Sequence, residues 1–142
     1  MADTTFKVTI ITPDGTVYDT DEATMLILKT AGGEMGIMAN HVPVIASLDI
    51  DVVRVKHNEG EDNIAAVHGG VMQFDGHNAL IAADRSELPE RIDVERAQSA
   101  KERSEKMIED AKESHNSDDL ARAEVHLKRA INRLNAARLV KK

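Results

Sequence analysis

The hydrophobic positions change period once along the chain. Phe6-Lys7-Val8-Thr9-Ile10-Ile11-Thr12 alternates and stops at Pro13-Asp14-Gly15, a turn with proline and glycine at the positions that need them. Residues 23–29 end at Ala31-Gly32-Gly33; residues 44–48 and 50–56 follow, the second carrying Ile50, Val52 and Val55. Residues 63–68 run into Gly69-Gly70, residues 71–74 meet Asp75-Gly76, a favoured hairpin pair, and residues 78–83 form the last such run. Short runs with turn signals every eight to twelve residues predict an antiparallel β-sandwich or barrel.

Beyond that the period is helical. Pro89 ends the preceding strand, and Asp93 is placed to cap a first helix by accepting a bond from an early backbone N–H. Ala97, Ala100, Ser104, Met107, Ile108 and Ala111 make a small-residue stripe at three- and four-residue spacing. Ser114-His115-Asn116-Ser117 is a polar break, after which Ser117 or Asp118 caps a second helix with the stripe Leu120, Ala123, Leu127, Ala130, Ile131, Leu134 and Ala137. So short a connection predicts an antiparallel hairpin. The fold class is therefore α+β in two parts: a β-sandwich or barrel over residues 1–86, then a two-helix hairpin over residues 87–142. All eight glycines fall by Gly76, which reinforces the seam. Charge divides there too: residues 1–86 carry 5 basic and 13 acidic groups, residues 87–142 carry 13 and 12.

Composition narrows the function. The 142 residues hold no cysteine, which excludes disulfides, zinc–thiolate sites and thiol nucleophiles. Phe6, Tyr18 and Phe74 are the only aromatics, too few for a base-stacking platform, and a net charge of −7 disfavours phosphate-backbone binding. No apolar run reaches the roughly 18–20 residues that span a bilayer. The opening Met1-Ala2-Asp3-Thr4-Thr5 lacks the features of a signal or transit peptide, so the expectation is a soluble, intracellular chain.

No nucleophile elbow, P-loop or paired-histidine helix motif is present, and catalytic and metal residues are expected to be none. Gly32-Gly33-Glu34-Met35-Gly36 lacks the lysine and following helix of a phosphate loop and is read as a turn. No two of the six histidines stand three or four apart, the spacing a helical metal site needs. His41, beside Asn40 and Pro43, is expected to hydrogen-bond to backbone. Arg122, His126, Arg129 and Arg133 share one face of the second helix, and Leu120 to Lys142 carries seven basic groups against the single acid Glu124. Two readings of that face stay open: a solvated surface paired with the acidic first helix, or a reader of anions, since guanidinium forks match carboxylate and phosphate.

Four stretches stand in a telling order: residues 6–13; Gly33-Glu34-Met35-Gly36-Ile37 with His41-Val42-Pro43; Gly69-Gly70-Val71 with Ala79-Leu80-Ile81-Ala82-Ala83-Asp84; and Ile92-Asp93-Val94-Glu95-Arg96-Ala97. Together they resemble the epsilon subunit of bacterial F-type rotary ATP synthases, whose I/L-D-x-x-R-A pattern the last stretch fits. Residues 122–134 resemble the family's second helix. Met38-Ala39-Asn40 and Ser86-Glu87-Leu88-Pro89 depart from the usual family segments.

The resemblance implies a non-catalytic central-stalk rotor subunit on the cytoplasmic face of the cell membrane. Its implied partners are the gamma subunit, the c-subunit ring and the catalytic alpha and beta subunits. Glu34, Met35, Gly36, Ile37, His41, Pro43 and Arg122 are the implied partner contacts. The hairpin would fold onto the sandwich or extend into the catalytic head and inhibit ATP hydrolysis. No cofactor is required, but regulatory ATP would be held by Ile92, Asp93, Arg96 and Ala97, with Arg103, Arg129 and Arg133 on the phosphates. Outside the resemblance, a free-standing β-sandwich binding module with a helical oligomerisation tail, or an enzyme with a pocket in the sandwich, remain as alternatives.

Overall fold

A computed structural model describes residues 4–140. Residues 1–3 of the segment read for targeting signals, and the two lysines that end the basic stretch, lie outside them. Seven strands, β1 (Phe6–Thr12), β2 (Gly15–Thr30), β3 (Gly33–Met38), β4 (Val44–His57), β5 (Asn63–Phe74), β6 (Asn78–Ala83) and β7 (Ser86–Glu87), precede a 3-10 turn at Pro89–Arg91. Two helices follow, α1 (Val94–Glu113) and α2 (Ser117–Val140).

The strands run in the order β1-β6-β5-β4-β2-β3, and β1 also pairs with β2, so the sheet closes on itself and leaves few edges. Only β1–β6 is parallel; every other ladder is antiparallel. β2 makes closure possible. Its first half pairs with β1 and its second with β3 and β4, with register shifts where it changes partner. Alternate residues point inward, and Phe6, Val8, Ile10, Leu26, Leu28, Ile37, Met72, Phe74 and Ile81 fill the interior. The two phenylalanines meet edge to face, with ring centroids 5.6 Å apart.

Several sequence expectations need correction. Glycine ends strands at Asp75-Gly76 as expected but not at two other positions. Gly33 and Gly36 lie within β3, so only Ala31-Gly32 turns, and Gly69-Gly70 sits inside a continuous β5. Gly70 has φ +131°, and a Cβ there would collide with the backbone of Ala82 and Ala83. At this point β5 changes partner, pairing with β7 through Ala66 and Val67 and with β6 from Gly70 onward. The division drawn after Ser86 falls inside β7, whose two residues pair with β5, and Leu88 packs on the sandwich core.

The helices form the expected hairpin. The Asp93 side chain accepts from the Arg96 N–H at 3.1 Å. α1 ends on His115 at φ 54°, with the His115 N–H bonded to the Lys112 carbonyl and the Asn116 N–H to that of Ala111. The second cap is Asn116, not Ser117 or Asp118: its side-chain oxygen accepts from the Asp119 N–H at 3.1 Å. Ala97, Ser104 and Ala111 on α1, and Ala123, Ala130 and Ala137 on α2, are buried at seven-residue spacing. That spacing keeps one narrow small-residue seam between two facing helices. Met107 and Ile131, expected in the stripes, are exposed.

The hairpin lies folded against the sandwich. Ala136 and Ala137 pack with Ala66 and Ile92, flanked by Val52 and Ile64. Asn132 is buried and its side-chain amide donates to the Val67 carbonyl at 3.2 Å.

Candidate functional site

Where α1, α2 and the end of the sheet meet, two adjoining polar cavities of about 390 and 340 Å³ open to solvent. Arg85, Ala100, Arg103 and Arg133 line both. The larger adds Glu87, Arg91, Asp93, Arg96 and Ala97; the smaller adds Ser104, Met107, His126 and Arg129. Six guanidinium groups therefore surround two carboxylates.

Local structure fixes each contributor. Arg96, Ala100 and Arg103 stand at four- and three-residue spacing along α1, and Arg129 and Arg133 are one turn apart on α2. β7 and the turn after it carry Glu87 and Arg91. The Arg133 Nε donates to Glu87 Oε1 at 2.6 Å, a charge-assisted bond between half-buried groups that ties α2 to β7. The buried Arg129 Nε has no hydrogen-bond partner among the described residues. A dense set of fork-shaped donors, with the buried Arg129 Nε lacking an acceptor, fits a multiply charged anion such as a polyphosphate. No group of three or more His, Asp or Glu among the described residues could hold a metal ion.

Asp93, Arg96, Ala97, Arg103, Arg129 and Arg133, expected to act together, line these cavities. Ile92 does not; its side chain sits in the apolar seam against Ala136 and Ala137. Arg85, Glu87 and Arg91 escape the sequence reading because they flank the seam between the two parts, where neither the strand nor the helix period marks a face. The signal was their clustering within seven residues of Ile92. Arg122 stands nearer the hairpin tip, in a cavity with Asp110, Ser114, Asp119 and His126.

The residue 34–43 segment lies elsewhere. Ile37 is fully buried in the sandwich core, so it is corrected from a partner contact to a core residue. Met35 is half-buried on that core, and a Cβ at Gly36 would meet the flexible terminal methyl of Met25. The His41 Nδ1 is 2.7 Å from the Val42 carbonyl, and its ring packs edge-on to Phe74. Glu34 and Pro43 are exposed. Met38, Val42 and Ile45 are exposed by 59%, 70% and 71%, making this end of the sandwich apolar. Ile45, Gln73 and Leu80 pair across β4, β5 and β6, as do Ser47, Val71 and Ala82, so the apolar surface continues over one outer sheet face.

The sequence family described as the ATP synthase Delta/Epsilon chain beta-sandwich domain matches residues 5–89, and its long alpha-helix domain matches residues 90–138. Among curated relatives, the ATP synthase epsilon chain of Pediococcus pentosaceus is 52% identical over 131 residues, covering 92% of this chain and 94% of the relative. That of Levilactobacillus brevis is 52% identical over 132 residues, covering 93% and 94%. Among solved structures, a chain in the Euglena gracilis mitochondrial ATP synthase OSCP/F1/c-ring assembly superposes with a TM-score of 0.80 at 19% identity, covering 98% of this chain and 84% of that one. At that identity the likeness speaks for the fold. No helix among the described residues is long and apolar enough to cross a membrane. Two domain matches in order, and relatives sharing half their residues over nearly the full length, place this chain in the ATP synthase delta/epsilon family, as an epsilon-type, non-catalytic subunit of the central stalk.

Proposed function

We propose that this chain is a rotor subunit that joins the gamma subunit and c-ring to the catalytic alpha and beta subunits, peripheral to the cytoplasmic face of the membrane. The apolar end at Met38, Val42 and Ile45, with its adjoining sheet face, is the docking surface for gamma and the c-ring. Exposed apolar area of this kind marks interaction sites.

The hairpin regulates. Folded, it is idle; released, it enters the catalytic head and inhibits ATP hydrolysis. The observation that supports this reading is the slightness of its attachment: a small apolar patch at Ala136 and Ala137, one amide hydrogen bond to the Val67 carbonyl, one ion pair to Glu87, and an arginine-lined cleft beside them. ATP in that cleft would hold the hairpin down, with Arg103, Arg129 and Arg133 on the phosphates, Arg85 beside them, and Asp93, Arg96 and Ala97 on the rest of the nucleotide. A ligand bound only in the folded state shifts the equilibrium by its binding free energy. The sandwich and hairpin are separate units divided after Leu88 rather than after Ser86, and a chain ending at Leu88 is expected to fold.

Calorimetry tests the cleft: ATP binds the full chain in preference to GTP, and Arg129→Ala weakens binding by tenfold or more. Absence of heat at millimolar ATP would remove nucleotide from the account. Hydrolysis by the reconstituted complex tests regulation. Glu87→Gln frees Arg133 and increases inhibition, whereas Arg122→Ala, which leaves the folded contacts intact, reduces it. Equal inhibition by both variants and wild type would contradict the switch.

A further inference from the structure

His68 is the one buried histidine among the described residues, and nothing in the nucleotide reading uses it. Ile64, Ala66 and His68 share the face of β5 that α2 covers, as the packing of Ile64 and Ala66 with Ala136 and Ala137 shows. Its side chain is wholly inaccessible, and neither ring nitrogen has a hydrogen-bond partner among the described residues. The nearest acidic oxygen, Glu87 Oε1, is 3.6 Å from Nε2 and already accepts from Arg133. We propose that His68 is a proton-operated release for the hairpin: neutral, it fits beneath α2; protonated, it drives α2 off the sandwich. This inference rests on the reading that the hairpin leaves the sandwich.

The charges around it decide the sign. From α2, Arg129 and Arg133 repel an imidazolium; from β7, Glu87 attracts one, but that carboxylate is shared with Arg133. Arg85, whose carbonyl accepts from the His68 N–H, adds another guanidinium to the adjoining cavities. Across β4 the partner is Ile50, and the flanking Asp49 and Asp51 accept from backbone N–H groups. Burial first, then the arginines, push the His68 pKa down from 6.5 to about 4. Release returns the ring to water and its ordinary value. Docking is therefore undiminished above pH 6.5 and weakens as pH falls toward 4, by roughly thirty-fold at pH 5 relative to pH 7.5. Acid favours the released hairpin.

The chain has no cysteine, so Lys7→Cys on β1 and Glu124→Cys on α2 give a unique spin-label pair. Its distance distribution, followed from pH 7.5 to 5 in an Asn132→Ala background that brings release into range, reports the docked fraction. The expected result is a released population that grows with acid in the otherwise unchanged chain and stays constant in His68→Ser. His126→Gln, which removes the other histidine facing these arginines, leaves the response intact. In parallel, NMR of the imidazole protons should show the docked His68 ring neutral at pH 5.5. A pH response equal in the His68→Ser chain, or a docked ring that titrates near 6.5, would overturn the inference. Release in Glu87→Gln without a His68-dependent pH response sinks only this inference. No second distance under any condition sinks the mobile-hairpin reading as well.

Discussion

The sandwich and the hairpin bury different things. Inside the sandwich, Phe74, Ile10, Leu26, Leu28, Ile37, Met72 and Ile81 are almost wholly removed from water. Among the described residues, those buried in the two helices are alanines, one serine and one asparagine. At about 1.5–3 kcal/mol per large apolar side chain and about 0.8 kcal/mol per methylene, the first set outweighs the second several-fold. Polar contacts make up part of the difference. Ser104 satisfies its hydroxyl on the Ala100 carbonyl, Asn132 bonds to Val67, and Arg133 pairs with Glu87. Such contacts are directional and net about 1 kcal/mol each, so they orient an element without fixing it permanently. A closed, apolar sheet suits a part that stays folded, and a small-residue seam with a slight attachment suits the movable part that we propose the hairpin to be.

The contrast should be sharpest when each core is damaged in turn. Phe74→Ala removes a ring packed against Phe6 and His41 and is expected to destabilise the sandwich by about 3–5 kcal/mol in denaturant titration. A loss below about 1 kcal/mol would mean that the sandwich interior is not the dominant store of stability. Ala130→Leu should act next most strongly. It forces a large side chain into the seam between α1 and α2, costs about 1–3 kcal/mol, and shows in helical circular dichroism while the sandwich melts as before. The smallest effect belongs to Asp93→Ala, which deletes the cap on Arg96 and costs α1 about 1 kcal/mol, read as fraying at its first turn by amide exchange.

The sequence carried the architecture because period is a local property. Alternation across residues 6–12 and 78–83, and small residues at three- and four-residue spacing beyond residue 93, mark β1, β6 and the two helices within a residue or two. It failed where long-range pairing overrides a local stop signal. Gly69-Gly70 reads as a turn, yet the neighbouring ladders carry β5 through it, and β3 is glycine-rich but held by β2. The arginine face was visible as spacing, but not its counterpart Glu87, since pairing at a sequence distance of 46 leaves no periodic trace. His68 looked like any other strand residue. Its meaning depends on α2 lying over it, a contact that no local pattern encodes.

Hydrogen exchange of the intact chain, resolved by mass spectrometry with and without ATP, tests the division between a fixed sandwich and a releasable hairpin. Amides of β1, β5 and β6 should exchange only through global unfolding, and those of α1 and α2 through an opening several kcal/mol lower in free energy that ATP suppresses. Equal protection of helices and strands, unchanged by nucleotide, would contradict it.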